Sequence, residues 1–327
     1  MTVPSNKNIS TPLLSEFQQR VIKKLERELG NDIMAALGDP DVIEIMLNSD
    51  GYLWIEKIGQ PMQKLSLFSD SNARALMGTI ASYYDTTVTP DNPILECELP
   101  IDGSRFEGLL PPVVAHTSFA IRKKAIKIFT LDDYYKKEIL TKEQIKVIKD
   151  AISERKNILI VGGTGSGKTT LTNAIIDSMV DITPEHRILI IEDTAEIQCR
   201  AENAVILRAT AFISMLRLLK AVMRLRPDRI LVGEVRGKEA LDLLKAWNTG
   251  HPGGIATVHA NSAFGGLIRM EQLIAEGTAA PMQQLIAEAV NMVVFIEKTE
   301  KSRVVKEIIS VNGFNPIAQE YITNKII

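Results

Sequence analysis

Eight consecutive residues, Gly162-Gly163-Thr164-Gly165-Ser166-Gly167-Lys168-Thr169, match G-x-x-x-x-G-K-[ST] at every position and follow directly on the apolar run Ile158-Leu159-Ile160-Val161. Four glycines let backbone N–H groups turn inward around a phosphate, Lys168 carries a point charge for β/γ oxygens, and the Thr169 hydroxyl is a hard ligand for Mg²⁺. Beyond the loop, Thr170 to Val180 carries Leu171, Ala174, Ile175 and Met179 at helical spacing. The loop therefore opens a helix whose N-terminal dipole faces the phosphates, and Thr170 joins the phosphate-facing positions. Strand, loop and helix in this order predict a nucleoside triphosphate site in an α/β domain. Lys168 is expected on an exposed loop, so that its loss costs phosphate binding and not stability.

At 327 residues and 45% apolar composition the chain suits two domains with their own cores. A net charge of -2 and few aromatics supply neither a phosphate-binding stripe nor a stacking platform, so direct nucleic-acid binding is not indicated. The two cysteines, Cys97 and Cys199, have no metal-binding spacing and read as small buried hydrophobes in a reducing compartment. The Met1-Thr-Val-Pro-Ser-Asn-Lys terminus lacks signal-peptide character and no stretch approaches a membrane span. A cytoplasmic chain, with at most peripheral membrane association, is expected.

Apolar residues at three- and four-residue spacing from Leu14 to Leu29, with Gly30 as a stop, predict an opening helix. Strand-like runs at 42–47 and 52–55 flank Asp50-Gly51, a hairpin signal, and a helix is expected over 72–84. Further strands near 94–99, 106–109 and 119–121 complete a small α+β domain. The mixed segment 123–137 reads as a connector, which puts the domains at 1–135 and 136–327. Downstream, Thr141 and Gln144 form a capping pattern for a helix to about Glu154. Strands are then expected at 158–161, 187–192, 229–233 and 255–258, with helices over 212–225 and 237–247 and a late hairpin at 292–297 and 303–310. Such alternation predicts a mostly parallel sheet flanked by helices.

Triphosphate hydrolysis needs a cation across the β/γ oxygens, a group to orient water, and positive charge for the transition state. In Arg187-Ile-Leu-Ile-Ile-Glu192-Asp193-Thr194-Ala195-Glu196 an apolar strand ends in carboxylates, the placement expected at the ligand edge of a parallel sheet. Glu192 is the candidate general base. The run Arg229-Ile-Leu-Val-Gly233-Glu234 ends a second strand like a variant Walker B, making Glu234 the candidate for a Mg²⁺-bound water. The two glutamates remain interchangeable at this level, and alone each reads equally as a solvated strand end. His259, after the glycine-rich Gly250-His-Pro-Gly-Gly254 turn and a short strand, is either a γ-phosphate sensor or a structural imidazole that satisfies buried backbone.

These segments in this order resemble the traffic ATPases of type II and type IV secretion systems. Within that superfamily Arg105-Phe-Glu-Gly-Leu-Leu-Pro-Pro-Val-Val114, Ser118-Phe-Ala-Ile-Arg-Lys123 and Gly233-Glu-Val-Arg-Gly237 look most like the conjugative-transfer members. The resemblance runs from about residue 30 to 310. It implies a RecA-like P-loop NTPase domain preceded by a smaller, PAS-like α+β domain, and a homohexameric, Mg²⁺-dependent ATPase docked on inner-membrane type IV secretion components. It implies phosphate and Mg²⁺ roles for Lys168 and Thr169, water activation for Glu192 and metal binding for Glu234. Arg226, Arg105 and Arg122 match positions that approach phosphate. The four-cysteine zinc module of pilus-assembly relatives cannot be built from two distant cysteines. A pilus retraction motor and a nucleotide-regulated docking scaffold are the alternatives, while a guanine-selecting motif is missing because Ile326-Ile327 follows Asn324-Lys325.

Overall fold

The computed structural model describes residues 15–58, 60–124, 129–210, 212–299 and 302–326. Leu14, the N-terminal segment before it and residues 125–128 of the expected connector lie outside these. Two compact units divide the chain, Met1–Lys124 and Ala125–Ile327.

In the first unit Ser15 caps α1 (Glu16–Gly38) through a capping box with Gln18. Gly30 does not end this helix. It takes a left-handed φ of 73° and kinks the chain, after which the helix resumes. Val21, Leu25, Leu29 and Ile33 are buried, whereas Phe17 at the head of the stripe stays exposed. The sheet comprises β1 (Val42–Leu47), β2 (Tyr52–Lys57), β3 (Gln63–Leu67), β4 (Ile94–Glu98), β5 (Arg105–Leu109) and β6 (Ser118–Arg122), with α2 (Asp70–Tyr83) between β3 and β4. Its order is β3-β2-β1-β6-β5-β4 and every pairing is antiparallel. One core joins both helices to the alternating inward residues Ile45, Leu53, Phe106 and Ile121. β3 has no apolar alternation because it is an exposed edge strand, so the sequence does not announce it.

The second unit starts earlier than residue 136. Thr130 and Asp133 form a capping box on α3 (Leu131–Lys136), whose Leu131 and Tyr134 enter the core of this unit. Asp132 and Lys136, two of the charged residues that made 123–137 look like a connector, lie on the exposed side of that helix. Then follow α4 (Lys142–Ser153), β7 (Ile158–Gly162), α5 (Lys168–Ile182), β8 (Ile188–Glu192), β9 (Ala204–Arg208), α6 (Met215–Val222), β10 (Arg229–Val232), α7 (Glu239–Asn248), β11 (Ile255–His259), α8 (Ala263–Ala275), α9 (Gln283–Ala289), β12 (Met292–Lys298), β13 (Arg303–Asn315) and β14 (Glu320–Lys325). The sheet order is β14-β13-β12-β7-β11-β10-β8-β9. From β12 to β9 all neighbours are parallel, and β13 and β14 extend the sheet antiparallel.

Two hydrophobic clusters cover the two faces, one built on α3, α4 and α5 and the other on α6 to α9. Burial on both faces explains why β7, β8 and β10 read as continuous apolar runs. β9 was not legible for the opposite reason, being a half-exposed edge strand.

Arg229 in β10 is fully buried. It donates to the carbonyls of Gly253 at 3.0 Å and Ile152 at 2.9 Å, and to His186 Nδ1 at 2.9 Å. One planar fork thus ties β10 to the end of α4 and to the turn before β11. His186 must present a bare Nδ1, and burial followed by the Arg229 charge holds its pKa below 6.5. We predict that Arg229→Leu destabilises the second unit by about 3 kcal/mol or more, as three acceptors lose their donor. Because His186 binds its proton more readily unfolded than folded, its share of stability is complete above about 6.5 and lost as pH falls below it. Thermal unfolding of native and His186→Gln protein between pH 7 and 5 reads this out, and the variant should lose less stability on acidification.

Candidate nucleotide site

The phosphate loop joins β7 to α5. Gly165 and Gly167 hold left-handed φ values of 69° and 93°, and no side chain caps the first turn of α5. Its N-terminal end, the positive end of the helix dipole, therefore opens onto the loop without a side-chain cap. A methyl group at Gly162 would overlap the Ile296 carbonyl and lie 2.5 Å from Ser166 Oγ, so strand β12 and the loop itself enforce glycine there. Gly163, Thr164 and Gly165 form the open rim, and Ser166 turns inward with its hydroxyl buried. Thr170 sits partly exposed on the first turn of α5.

Lys168 is not on an exposed surface, as the sequence had suggested. It is 8% exposed, and Nζ donates to the carbonyls of Gly162 and Gly163 at 3.0 Å each and faces His259 Nδ1 at 3.2 Å. The ammonium folds back onto its own loop. His259 closes β11, in register with Gly162 of β7. Its Nε2 lies 3.0 Å from Glu234 Oε1. With Lys168 donating to Nδ1, the proton belongs on Nε2, and the ring is a neutral bridge between cation and carboxylate. Burial and then the Lys168 charge push its pKa down.

Glu234 follows β10 through Gly233. Burial would raise its pKa, but Arg236 at 2.8 Å from Oε2, His259 and Lys168 outweigh that and lower it, so the group is an anion. Arg236 also pairs with Asp193 beyond the end of β8, while its backbone N–H donates to Glu239 Oε1 at 2.8 Å. A charge chain therefore runs from Asp193 through Arg236, Glu234 and His259 to Lys168. The sequence pattern did not single out Arg236, although its place in Gly233–Gly237, two residues past the strand-end glutamate, is the signal that would have found it.

Glu192 ends β8 and is 1% exposed. Oε2 accepts from the N–H groups of Glu196 at 3.0 Å and Ile197 at 2.9 Å, while Oε1 is buried with no hydrogen-bond partner among the described residues. Arg208 Nε, in register on β9, stands 3.8 Å away. Burial raises the Glu192 pKa in spite of these donors. Glu196 in turn accepts from Thr169 Oγ1 at 3.0 Å, so the acidic loop is hydrogen-bonded to the phosphate loop. A hydroxyl and carboxylate oxygens gathered beside a glycine cradle are a donor set for a hard divalent cation.

The remaining arginines stand elsewhere. Arg226 occupies an exposed turn with φ 54°, leading into the N-terminal end of β10, whereas Glu234 follows the carboxyl end. Arg105 and Arg122 belong to the first unit, directly opposite each other on β5 and β6, and the row continues to Glu98 on β4 and Glu44 on β1.

The sequence signature of the family described as "Type II/IV secretion system protein" matches residues 28–310. The chain belongs to this family. Relatives include the probable conjugal transfer protein TrbB of Sinorhizobium fredii, 52% identical over 295 residues that cover 90% of this chain and 91% of the relative. The type IV secretion system protein PtlH of Bordetella pertussis is 32% identical, covering 80% and 87%. Among solved structures, the Legionella pneumophila ATPase DotB superposes with a TM-score of 0.61 at 18% identity, covering 93% of this chain and 82% of that one. The pilus retraction motor PilT with bound ADP gives 0.59 at 22%, covering 84% and 80%. These two likenesses establish the fold.

Replacing Lys168 by alanine should cost stability. We predict a loss of ~1–3 kcal/mol of stability from the acceptors left without their donor. The His259 titration, followed by NMR, should move up towards 6.5 as the neighbouring charge disappears.

Proposed function

We propose that this chain is an ATP-hydrolysing motor of a type IV secretion system, powering conjugative DNA transfer or assembly of the conjugative pilus. The observation that carries hydrolysis, over nucleotide-regulated docking alone, is the buried Oε1 of Glu192, which has Arg208 Nε at 3.8 Å and accepts no hydrogen bond among the described residues. A buried carboxylate oxygen that lacks a donor, next to an intact phosphate loop, is a seat for a water to be deprotonated. Kinship with conjugal transfer proteins supports the choice of cargo system.

In this reading the loop N–H groups of Gly162 to Thr170 cradle the phosphates, and Lys168 turns from its own carbonyls onto the β/γ oxygens. Thr169 and Glu234 would hold Mg²⁺, which would supply positive charge to offset that of the phosphates. Glu192, with its pKa raised by burial, takes the proton from water. His259 reports on the Lys168 ammonium through Nδ1 and passes that state to Glu234. The second unit is read as RecA-like and the first as PAS-like, the protein acting as a homohexamer at the cytoplasmic face of the inner membrane through channel partners. No described helix is long and apolar enough to cross a membrane.

Arg105 and Arg122 stand opposite each other across a strand pair, with Glu98 and Glu44 as their outer neighbours in the row. We read them as groups that approach the γ-phosphate, a role that lysine's point charge would fill poorly. Arg226, at the amino edge of the sheet, would serve only a neighbouring copy.

Glu192→Gln should keep nucleotide binding and slow steady-state turnover ~100-fold or more. Glu234→Gln should instead shift the Mg²⁺ requirement. A metal titration in which only Glu192→Gln shifts would exchange the two roles. Arg105→Ala or Arg122→Ala should lower turnover at saturating ATP at least ~10-fold, with ADP affinity little changed. Equal weakening of ADP and ATP at an unchanged maximal rate would leave both arginines as structural residues.

A further inference from the structure

Strand order gives the nucleotide site a direction. β7, which carries the phosphate loop, lies between β11 and β12. Glu234 and Glu192 follow β10 and end β8, both on the β11 side. A nucleotide whose terminal phosphate points to those carboxylates must run its ribose and base the other way, towards the β12–β13 hairpin.

Arg303, the first residue of β13, stands there. Its Nη2 donates to the Gly165 carbonyl at 3.4 Å. A methyl group at Gly167 would lie only 3.0 Å from its Cδ and 3.2 Å from its Nε, so the side chain lies against the loop. Among the described residues the buried Nε–H has no hydrogen-bond partner and Arg303 has no ion pair. Buried guanidinium N–H groups without an acceptor are rare and costly, and call for a partner. Nothing in the catalytic reading uses this cation, because it stands across the loop from the carboxylates.

We propose that Arg303 binds the nucleoside end of the bound nucleotide. Its planar guanidinium offers a face for the purine and its Nε–H a donor to ribose or base, while Nη2 keeps the plane anchored to Gly165. This rests on the phosphate loop being a nucleotide site, and it deepens that reading by assigning the residue that recognises what lies beyond the phosphates.

The test is calorimetric titration of the full chain with ADP and, separately, with inorganic pyrophosphate, which fills the phosphate loop without a nucleoside. Arg303→Ala should weaken ADP at least ~10-fold, the size of a desolvated cation–π contact, and leave pyrophosphate affinity unchanged. Arg303→Lys, which keeps the charge and loses the plane, should lose most of the same affinity. Pyrophosphate binding also reports that the loop of each variant is intact. Equal weakening of both ligands would make Arg303 a brace for the loop, and unchanged ADP affinity would deny it any contact; either result overturns the proposal. Native protein that binds neither ligand would instead remove the nucleotide reading itself.

Discussion

Parallel pairing of β7 with β11 on one side and β12 on the other is the constraint on which the site depends. In register, Gly162 meets His259 across one pair, and Val161 meets Phe295 across the other. The loop that leaves β7 consequently has a histidine at one shoulder and the Ile296 backbone at the other. Gly162 fits because the second shoulder leaves no room for a side chain. Parallel neighbours also share a carboxyl edge, so the residues that follow β8, β10 and β11 converge without any long connection.

That edge was largely legible in the sequence. Strands buried on both faces must be apolar throughout, and such a run followed by glycine or acid announces a ligand edge. Glu192, Glu234 and the loop could be named on that basis. What escaped the pattern was set by tertiary placement. Lys168 looks like a solvent-facing loop lysine until its own carbonyls and His259 are seen around it. The arginine of β13 lies far along the chain from the loop it touches, in a hairpin whose sequence has no phosphate-binding character. Edge strands β3, β9 and β14 were silent because exposure removes the alternation that marks a half-buried strand. Gly30 misled in the other direction, since a left-handed residue can kink a helix as readily as end it.

Arg229 is a different kind of dependence. Its three acceptors come from the end of α4, from His186 in the turn before β8 and from the turn leading to β11. A single rigid fork, always charged, fixes the spacing of elements on the amino edge of the sheet. The strand whose other end presents Glu234 is thereby held from below, on the side away from nucleotide.

The chain of contacts from Asp193 to Lys168 means that this stretch of the carboxyl edge has its charges paired before anything binds. Each cation there already has an acceptor and each of these two anions a cation or imidazole proton. On the proposed reading, arrival of a nucleotide would be a trade of partners and not a gain of new ones, so much of the contact energy would cancel against what is given up. A site made this way grips without becoming a trap. Departure of the ligand would be eased in the same way, because each group has a neighbour within a side chain's reach to return to.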